Sequence, residues 1–263
     1  GVTVTQAANH WRLAVDTHQH NHPGAEHDCA DISQVDPRRY RRTTILWASP
    51  DCTNHGKASG RKRDKAMHTS DGRTLPMDPA ERSRATMWDV IRFSEYHRYE
   101  AVIVENVAEA RDWAVFGAWL SAMHSLGYRH EFVWMNSAHA TVGGAGSATS
   151  RNRMYVVFTR VGASVPNIAK WTSPTGTCTS CATTAPLVKD WKRAGGNEIG
   201  GEYLRQYVWR CPSCTSVVDP TVAGATSVID WSNVGTPVLG RRPALVTKTL
   251  GKIALGLSKH HVN

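Results

Sequence analysis

The sequence predicts an α/β fold with a mostly parallel sheet, joined to a small β-rich module. Three observations predict it. Short β-rich runs alternate with helical stretches through the first 160 residues. After Gly162 the texture changes, and Pro, Thr, Ser and Gly become frequent. Two Cys-x-x-Cys pairs, Cys178/Cys181 and Cys211/Cys214, then follow with 29 residues between them.

The elements can be justified in order. Residues 2–8, VTVTQAA, read as a strand, and a helix runs from Trp11 to about His20. Residues 43–49, TTILWAS, are a β-rich run suited to burial on both faces. The polar segment from Asp51 to about Pro79 contains GRKRDK and is too long for a mere connector. Residues 80–98 read as a helix, with Met87, Trp88 and Ile91 at helical spacing. Residues 100–107, EAVIVENV, form a second buried-type strand. Trp113, Phe116, Leu120 and Met123 share one helical face, and Leu126-Gly127 ends that helix. Residues 129–136 and 153–160 are further strands, separated by a stretch rich in Gly, Ala and Ser. A domain boundary is expected near residues 162–170. A last helix is expected where Leu250, Ile253, Ala254 and Leu257 recur at helical spacing.

Bulk composition narrows the class. The chain has 263 residues, enough for one large domain or two ordinary ones, with 41% hydrophobic residues. No apolar run approaches the roughly 20 residues that span a bilayer, and no signal peptide opens the chain. The expectation is a cytoplasmic protein with no membrane partner, whose thiols stay reduced. The net charge is +9, and its placement matters more than its size. Residues 1–150 carry 17 Lys/Arg against 17 Asp/Glu, whereas residues 151–263 carry 14 against 5. All the excess lies in the second segment, as expected of a polyanion-binding module attached to a charge-balanced one. A solvated basic surface with no partner gives the same count.

In a reduced compartment the four paired cysteines read as metal ligands rather than disulfides. Four thiolates at this spacing make a closed structural zinc site, a zinc ribbon spanning about residues 172–220. Lys189, Lys192, Arg193, Arg205 and Arg210 lie between or beside the pairs, interleaved with Trp191, Tyr203, Tyr207 and Trp209. The aromatics suit either the small core of the ribbon or contact with bases and sugars. Cys29, in HDCADIS, reads as a packing residue.

Cys52 is different. The strand ending at Ser49 delivers it to a loop in SPDCTNH, and Glu105 closes the later strand in VIVENV. Ligands of such sheets collect at the carboxyl ends of the strands, so the two side chains are expected to share a rim. Alone, a cysteine at a strand end is usually structural, ENV is a strand leaving the core, and an Arg-x-Arg pair is usually solvated. Taken in order with Arg151 and Arg153 in TSRNRMYVV, these segments resemble the cytosine-5 DNA methyltransferases over roughly residues 1–160. The nearest likeness is to a divergent branch met in phages and actinobacteria.

That resemblance implies a Rossmann-like methyltransferase fold, partial, over residues 1–162, with a basic target-recognition region carrying the ribbon over 163–263. It implies that Cys52 adds as a thiolate to carbon 6 of a flipped cytosine, so that carbon 5 can take a methyl group. Glu105 would hydrogen-bond or protonate ring nitrogen 3, Asn106 would hold the loop, and Arg151 and Arg153 would position the nucleotide and the Cys52 loop. The methyl donor would be S-adenosylmethionine. Asp31 would meet its adenine amino group, Ile32 would pack on the ring, Trp11 would stack on it, and Pro50 would line the same pocket. Double-stranded DNA is the expected partner, within restriction–modification or its evasion, and a monomer or one part of a split enzyme the expected assembly.

The sequence departs from the family in places. The family's opening Phe-x-Gly-x-Gly-type loop has no counterpart ahead of Gly1, its closing motifs are not recognisable, and no acidic residue stands near Asn9, His10 and Trp11 for the ribose. The expectation is therefore a portion of a longer or split enzyme. Asp51 stands where a proline usually precedes the nucleophile, and Thr149 where a Gln is expected. The competing reading is a DNA-binding zinc-ribbon protein that has lost cofactor binding. Methylation of RNA or of a free nucleotide is a weaker third.

Overall fold

The computed structural model describes residues 2–50, 78–142 and 146–224, together with Ser232, and side chains of the helix beginning at 78 only from Thr86 onward. The chain divides into two units, residues 1–224 and 225–263. Everything described except Ser232 lies in the first. Cys52 and Asp51 fall outside the described residues, as does the expected C-terminal helix.

Strand β1 (Gln6–Asn9), helix α1 (Arg12–Asn21) and strand β2 (Glu26–Cys29) form a parallel βαβ unit, with Gln6 opposite Glu26 and Asn9 opposite Cys29. A second, four-stranded sheet is built from β3 (Ile45–Ala48), β4 (Ala101–Asn106), β5 (Tyr128–Asn136) and β6 (Asn152–Arg160), in the order β3-β4-β6-β5. Helix α2 (Asp78–His97) precedes β4, and α3 (Phe116–Ser125) carries the chain from β4 towards β5.

The fold class agrees with the sequence, but the larger sheet is mixed rather than mostly parallel. β3 and β4 are parallel, whereas β6 pairs antiparallel with both β4 and β5. A parallel neighbour needs a crossover of a dozen or more residues, usually a helix. Between β5 and β6 the described chain makes only a 3-10 turn, Ser137–His139, so it doubles back. The Gly-, Ala- and Ser-rich stretch that follows carries no helical periodicity, and this is why the strand alternation alone misjudged the direction.

The core lies on one face of the sheet. Val102, Val104, Met154, Val156, Phe158, Phe132 and Trp134 meet Met87, Val90 and Phe93 of α2 and Phe116, Trp119, Leu120 and Met123 of α3. Alternation along β4 and β6 produces this: Val102 and Val104 face the helices, while Ile103 and Glu105 face away. Trp119 is fully buried, and its indole N–H donates to the Met87 carbonyl at 2.7 Å, so the α2–α3 contact carries a satisfied polar handle. The β3 run is not buried on both faces, because among the described residues the helices cover one face of the sheet and Trp47 points to the other. Trp47 remains 59% exposed and meets Tyr155 edge-on. Cys29 is likewise exposed rather than packed.

After Gly162 (φ +92°) the chain turns through α4 (Ile168–Thr172) into short strands β7 (Thr175–Thr177), β8 (Thr184–Pro186), β9 (Val188–Trp191) and β10 (Tyr207–Arg210), with α5 (Gly196–Ile199) between the last two. β7 pairs antiparallel with β8, and β9 with β10. Their small core holds Cys178, Leu187, Tyr207, Trp209, Cys211 and Val218. No helix among the described residues is long and apolar enough to cross a membrane.

Replacing Trp119 by alanine removes the keystone of the helical layer. The expected cost is about 3–5 kcal/mol of stability, read as a lower denaturant midpoint in equilibrium unfolding.

Candidate active site and metal centre

Glu105, Asn106 and Arg153 meet where β4 ends and β6 begins, while Cys52 lies outside the described residues. Glu105 is the penultimate residue of β4 and projects from the face away from the helical core. Arg153 enters β6 on the same face, and its Nε lies 2.7 Å from Glu105 Oε1, with both side chains about one-quarter exposed. Tyr155 stands directly opposite Glu105 across the strands. Burial, and then the Glu105 charge, push its phenol upward from its ordinary range. Tyr155 was not singled out from the sequence. The signal was available in strand periodicity, since Arg151, Arg153 and Tyr155 are spaced by two.

Asn106 points to the other side and is buried. Its Nδ2 donates to the Pro50 carbonyl at 3.3 Å and touches Met87 Sδ at 3.7 Å, while its Oδ1 accepts from Val107 N–H at 2.8 Å. It thereby joins the end of β4 to the chain leaving β3, two residues before Cys52. Arg151 keeps an exposed side chain, but its peptide is clamped by Ser137. Its N–H donates to Ser137 Oγ at 3.0 Å, and its carbonyl accepts from Ser137 N–H at 2.8 Å.

A second rim is made by β1 and β2. The Ala30 N–H donates to the Asn9 carbonyl at 3.1 Å, and Asn9 Oδ1 accepts from Trp11 N–H at 2.8 Å. Trp11 stands at the N-cap position of α1 and is 60% exposed. Asp31 caps the next turn, accepting from Ser33 N–H at 3.0 Å and Ser33 Oγ at 2.8 Å. Ile32 is half-buried against the main core. Arg92, on α2, fastens this turn, donating from Nη2 to the Ile32 carbonyl and from Nη1 to the Val35 carbonyl at 2.5 Å each. Asp89 orients it from Oδ1, at 2.9 Å from Nη2. Only an Asp-x-x-Arg spacing on a helix hinted at that role.

The four paired cysteines converge. Their sulfur atoms all lie within 4.8 Å of one another, with Cys178–Cys214 at 3.5 Å and Cys181–Cys211 at 3.6 Å. A zinc ion about 2.3 Å from four thiolates has sulfur–sulfur edges of roughly 3.8 Å, so the set fits zinc. The two knuckles share one backbone geometry. Cys178 N–H donates to Thr183 O and Ala182 N–H to Cys178 O; Cys211 N–H donates to Ser216 O and Thr215 N–H to Cys211 O. Ala182 and Thr215, each following the second cysteine of its pair, both take positive φ (58° and 62°). Hydrogen bonds from the Ser216 hydroxyl and backbone, then from Cys178, bring the Cys214 thiol down to about 6, which favours the thiolate a metal requires.

The aromatics resolve as core. Tyr207 and Trp209 are buried, with Trp191 and Tyr203 packed against them. Half-buried Lys189 lies among them, its Nζ 4.5 Å from the Tyr207 ring centre, 5.1 Å from Trp209 and 5.6 Å from Trp191, and donates to the Trp134 carbonyl. Burial lowers its pKa to about 8. Other basic residues are tied within the module: Arg210 to Asp190 at 2.6 Å, Arg205 to Glu202 at 3.2 Å, and Lys192 to the Leu204 carbonyl at 2.5 Å.

The module packs on β5, β6 and the turn between them. Trp134 Nε1 donates to Asn197 O at 2.7 Å, Arg111 Nε to Glu198 O at 3.0 Å, and Tyr203 N–H to Asn152 Oδ1 at 3.2 Å. Trp209 Nε1 donates to His139 Nδ1 at 3.2 Å. His139 is 4% exposed, and burial, reinforced by Lys189, lowers its pKa to about 4.

Residues 1–194 match the family model "C-5 cytosine-specific DNA methylase". No curated protein sequence matches the chain. Among solved structures, a Spodoptera frugiperda DNMT2 mutant is 17% identical, with a TM-score of 0.45 over 62% of this chain and 44% of that one. An E. coli prophage-encoded protein described as a DNA modification methyltransferase is 15% identical, with a TM-score of 0.47 over 64% and 44%. The Dnmt2 methyltransferase of S. pombe is 14% identical, with a TM-score of 0.43 over 62% and 43%. The chain spans less than half the length of these structures.

Two outcomes are expected. The purified protein should carry one zinc per chain by metal analysis, and Cys214→Ser or a strong chelator should remove it and lower the thermal midpoint. Because the folded His139 pKa lies below its ordinary value of 6.5, the unfolded chain binds the extra proton between about pH 6.5 and 4. Stability should therefore fall on acidification through that window, by roughly 3 kcal/mol at most, and His139→Gln should flatten the difference between pH 7 and pH 5 in denaturant titrations.

Proposed function

The chain belongs to the C-5 cytosine-specific DNA methylase family, and we propose that it forms the core of an enzyme that methylates carbon 5 of cytosine in DNA through a covalent adduct with Cys52. The observation that carries the reading is the Glu105–Arg153 pair at the carboxyl end of β4, joined through neighbouring Asn106 to the strand exit that leads to Cys52.

Cytosine carbon 5 is a poor nucleophile. Addition of the Cys52 thiolate to carbon 6 makes the ring an enamine, and carbon 5 then becomes nucleophilic. Electron density moves onto the ring as the sulfur–carbon bond forms, so a donor at nitrogen 3 lowers the barrier. Glu105 would hydrogen-bond or protonate nitrogen 3, and Arg153 holds the carboxyl group in one orientation. Asn106 keeps the β3 exit against the end of β4, which fixes the starting point of the nucleophile loop. Once carbon 5 is methylated, loss of its proton and expulsion of the thiolate restore the aromatic ring and free Cys52. The target carbon is stacked inside a duplex, so the base must leave the helix to be reached.

Trp11, Asp31, Ile32 and Pro50 are the residues proposed to hold the cofactor. The indole stacks on adenine, and the Asp31 carboxylate accepts from its amino group. S-adenosylmethionine, when bound, supplies an electrophilic methyl group. Arg92 keeps the Asp31–Ile32 turn in place. The cysteine cluster is assigned to structural zinc, because four thiolates close the coordination sphere and leave no open position.

With the family's opening loop and closing motifs supplied, the chain is expected to incorporate labelled methyl groups from S-adenosylmethionine into cytosine-containing duplex DNA, and to form a denaturation-resistant adduct with a duplex carrying 5-fluorocytosine. Cys52→Ala should abolish both. Glu105→Gln and Arg153→Ala should each lower kcat by about 100-fold with smaller effects on KM. Full activity in Cys52→Ala would eliminate the covalent mechanism.

A further inference from the structure

We infer that the four-cysteine module is a brace for the arginine pair, and that Asn152, His139 and Trp209 are the positioning residues through which it acts. This rests on the methyl-transfer reading only for its consequence in catalysis; the mechanical coupling stands on the contacts alone.

Strand β6 has two sides near its start. Arg153 lies on the side that meets Glu105, and Asn152, between it and Arg151, lies on the other. Asn152 Oδ1 accepts two hydrogen bonds, from Asn136 Nδ2 at 3.0 Å within the sheet and from Tyr203 N–H at 3.2 Å in the module. Tyr203 sits in the module core beside Tyr207, and its hydroxyl donates to Asp219 at 2.7 Å. The module thus holds the one residue that separates the two arginines.

A second tie reaches Arg151. Trp209 lies two residues before Cys211, fully buried, and its indole N–H is given to His139 Nδ1. The Tyr203 ring meets His139 edge-on, with centres 4.4 Å apart. His139 ends the 3-10 turn that begins at Ser137, and Ser137 clamps the Arg151 peptide on both its N–H and its carbonyl. Ser137 Oγ also donates to the Thr149 carbonyl at 2.5 Å. From the cysteine cluster to Arg151 the path is one indole, one imidazole and one serine.

A buried indole donor and an imidazole acceptor each lose a hydrogen bond if they part, so the pair favours one geometry. The ends of strands otherwise fray. Lys189, the basic residue nearest these ties, points into the aromatic core and donates to the Trp134 carbonyl of β5, which adds a further link between module and sheet.

The test uses the full, metal-loaded chain and two variants, Trp209→Phe and Asn152→Ala. The first keeps the aromatic bulk and removes the donor; the second removes the acceptor without touching the module. Hydrogen exchange of the amides of residues 137–139 and 151–153 should speed up about three- to tenfold in each, with zinc content and cofactor affinity unchanged. Asn152→Asp, which keeps the acceptor oxygen, should restore the protection. In methyl transfer, kcat should fall with KM for DNA nearly constant. Unaltered exchange at both segments in both variants overturns the inference, and so does a rise in KM with constant kcat, which would make the module a DNA contact. A wild-type chain that transfers no methyl group yet shows the same exchange pattern would sink the methyl-transfer reading and leave the brace standing.

Discussion

The direction of β6 is the constraint from which most of the architecture follows. It runs against both its neighbours, between β4 and β5. Its pleat therefore sends Met154, Val156 and Phe158 into the helical core and Arg153 and Tyr155 to the side of Glu105. A shift of one residue in register would bury Arg153 and expose the core. The packing that stabilises the sheet and the contact that orients Glu105 are thus two faces of a single strand, and neither can move without the other.

The electrostatics of the site serve geometry more than stability. The Glu105–Arg153 pair is about one-quarter exposed on each side, where solvent screens much of its attraction. Its value lies in holding a carboxyl group in a single orientation. Arg92 works in the same way at the other rim, where a guanidinium spends its donors on two carbonyls of one turn and is itself steered by Asp89. Both cases use the planar, forked donor set of arginine, which lysine could not reproduce.

The cysteine module solves a different problem. It is too small to bury a large apolar core, and it combines a four-cysteine cluster with a dense group of aromatics. Those aromatics carry polar atoms. Trp209 finds His139, and Tyr203 finds Asp219. Lys189 satisfies its ammonium with the Trp134 carbonyl and three ring faces, with no carboxylate recorded against it among the described residues. Lys189 is thereby drawn among the aromatics, whereas Arg205, though paired with Glu202, stays largely exposed. Net charge counts lysines and arginines without regard to where they point, and Lys189 is one that points inward.

The sequence by itself determined the alternation of strands and helices, because apolar spacing at two or at three and four residues reports directly on which face is buried. It determined the four-cysteine cluster, because the spacing of the two Cys-x-x-Cys pairs is that of a four-sulfur site. It also determined the order of Cys52, Glu105, Arg151 and Arg153 along the chain. Only the tertiary structure decided that β6 runs backwards, since direction depends on the length and shape of a connection that leaves no periodic signal. Only the tertiary structure decided that Arg153 meets Glu105 while the peptide of Arg151 is held by Ser137, that Trp47 stays exposed, and that Lys189, Trp209 and Tyr207 turn inward. Each of these is a contact between residues far apart in sequence, and such contacts depend on packing that no local pattern encodes.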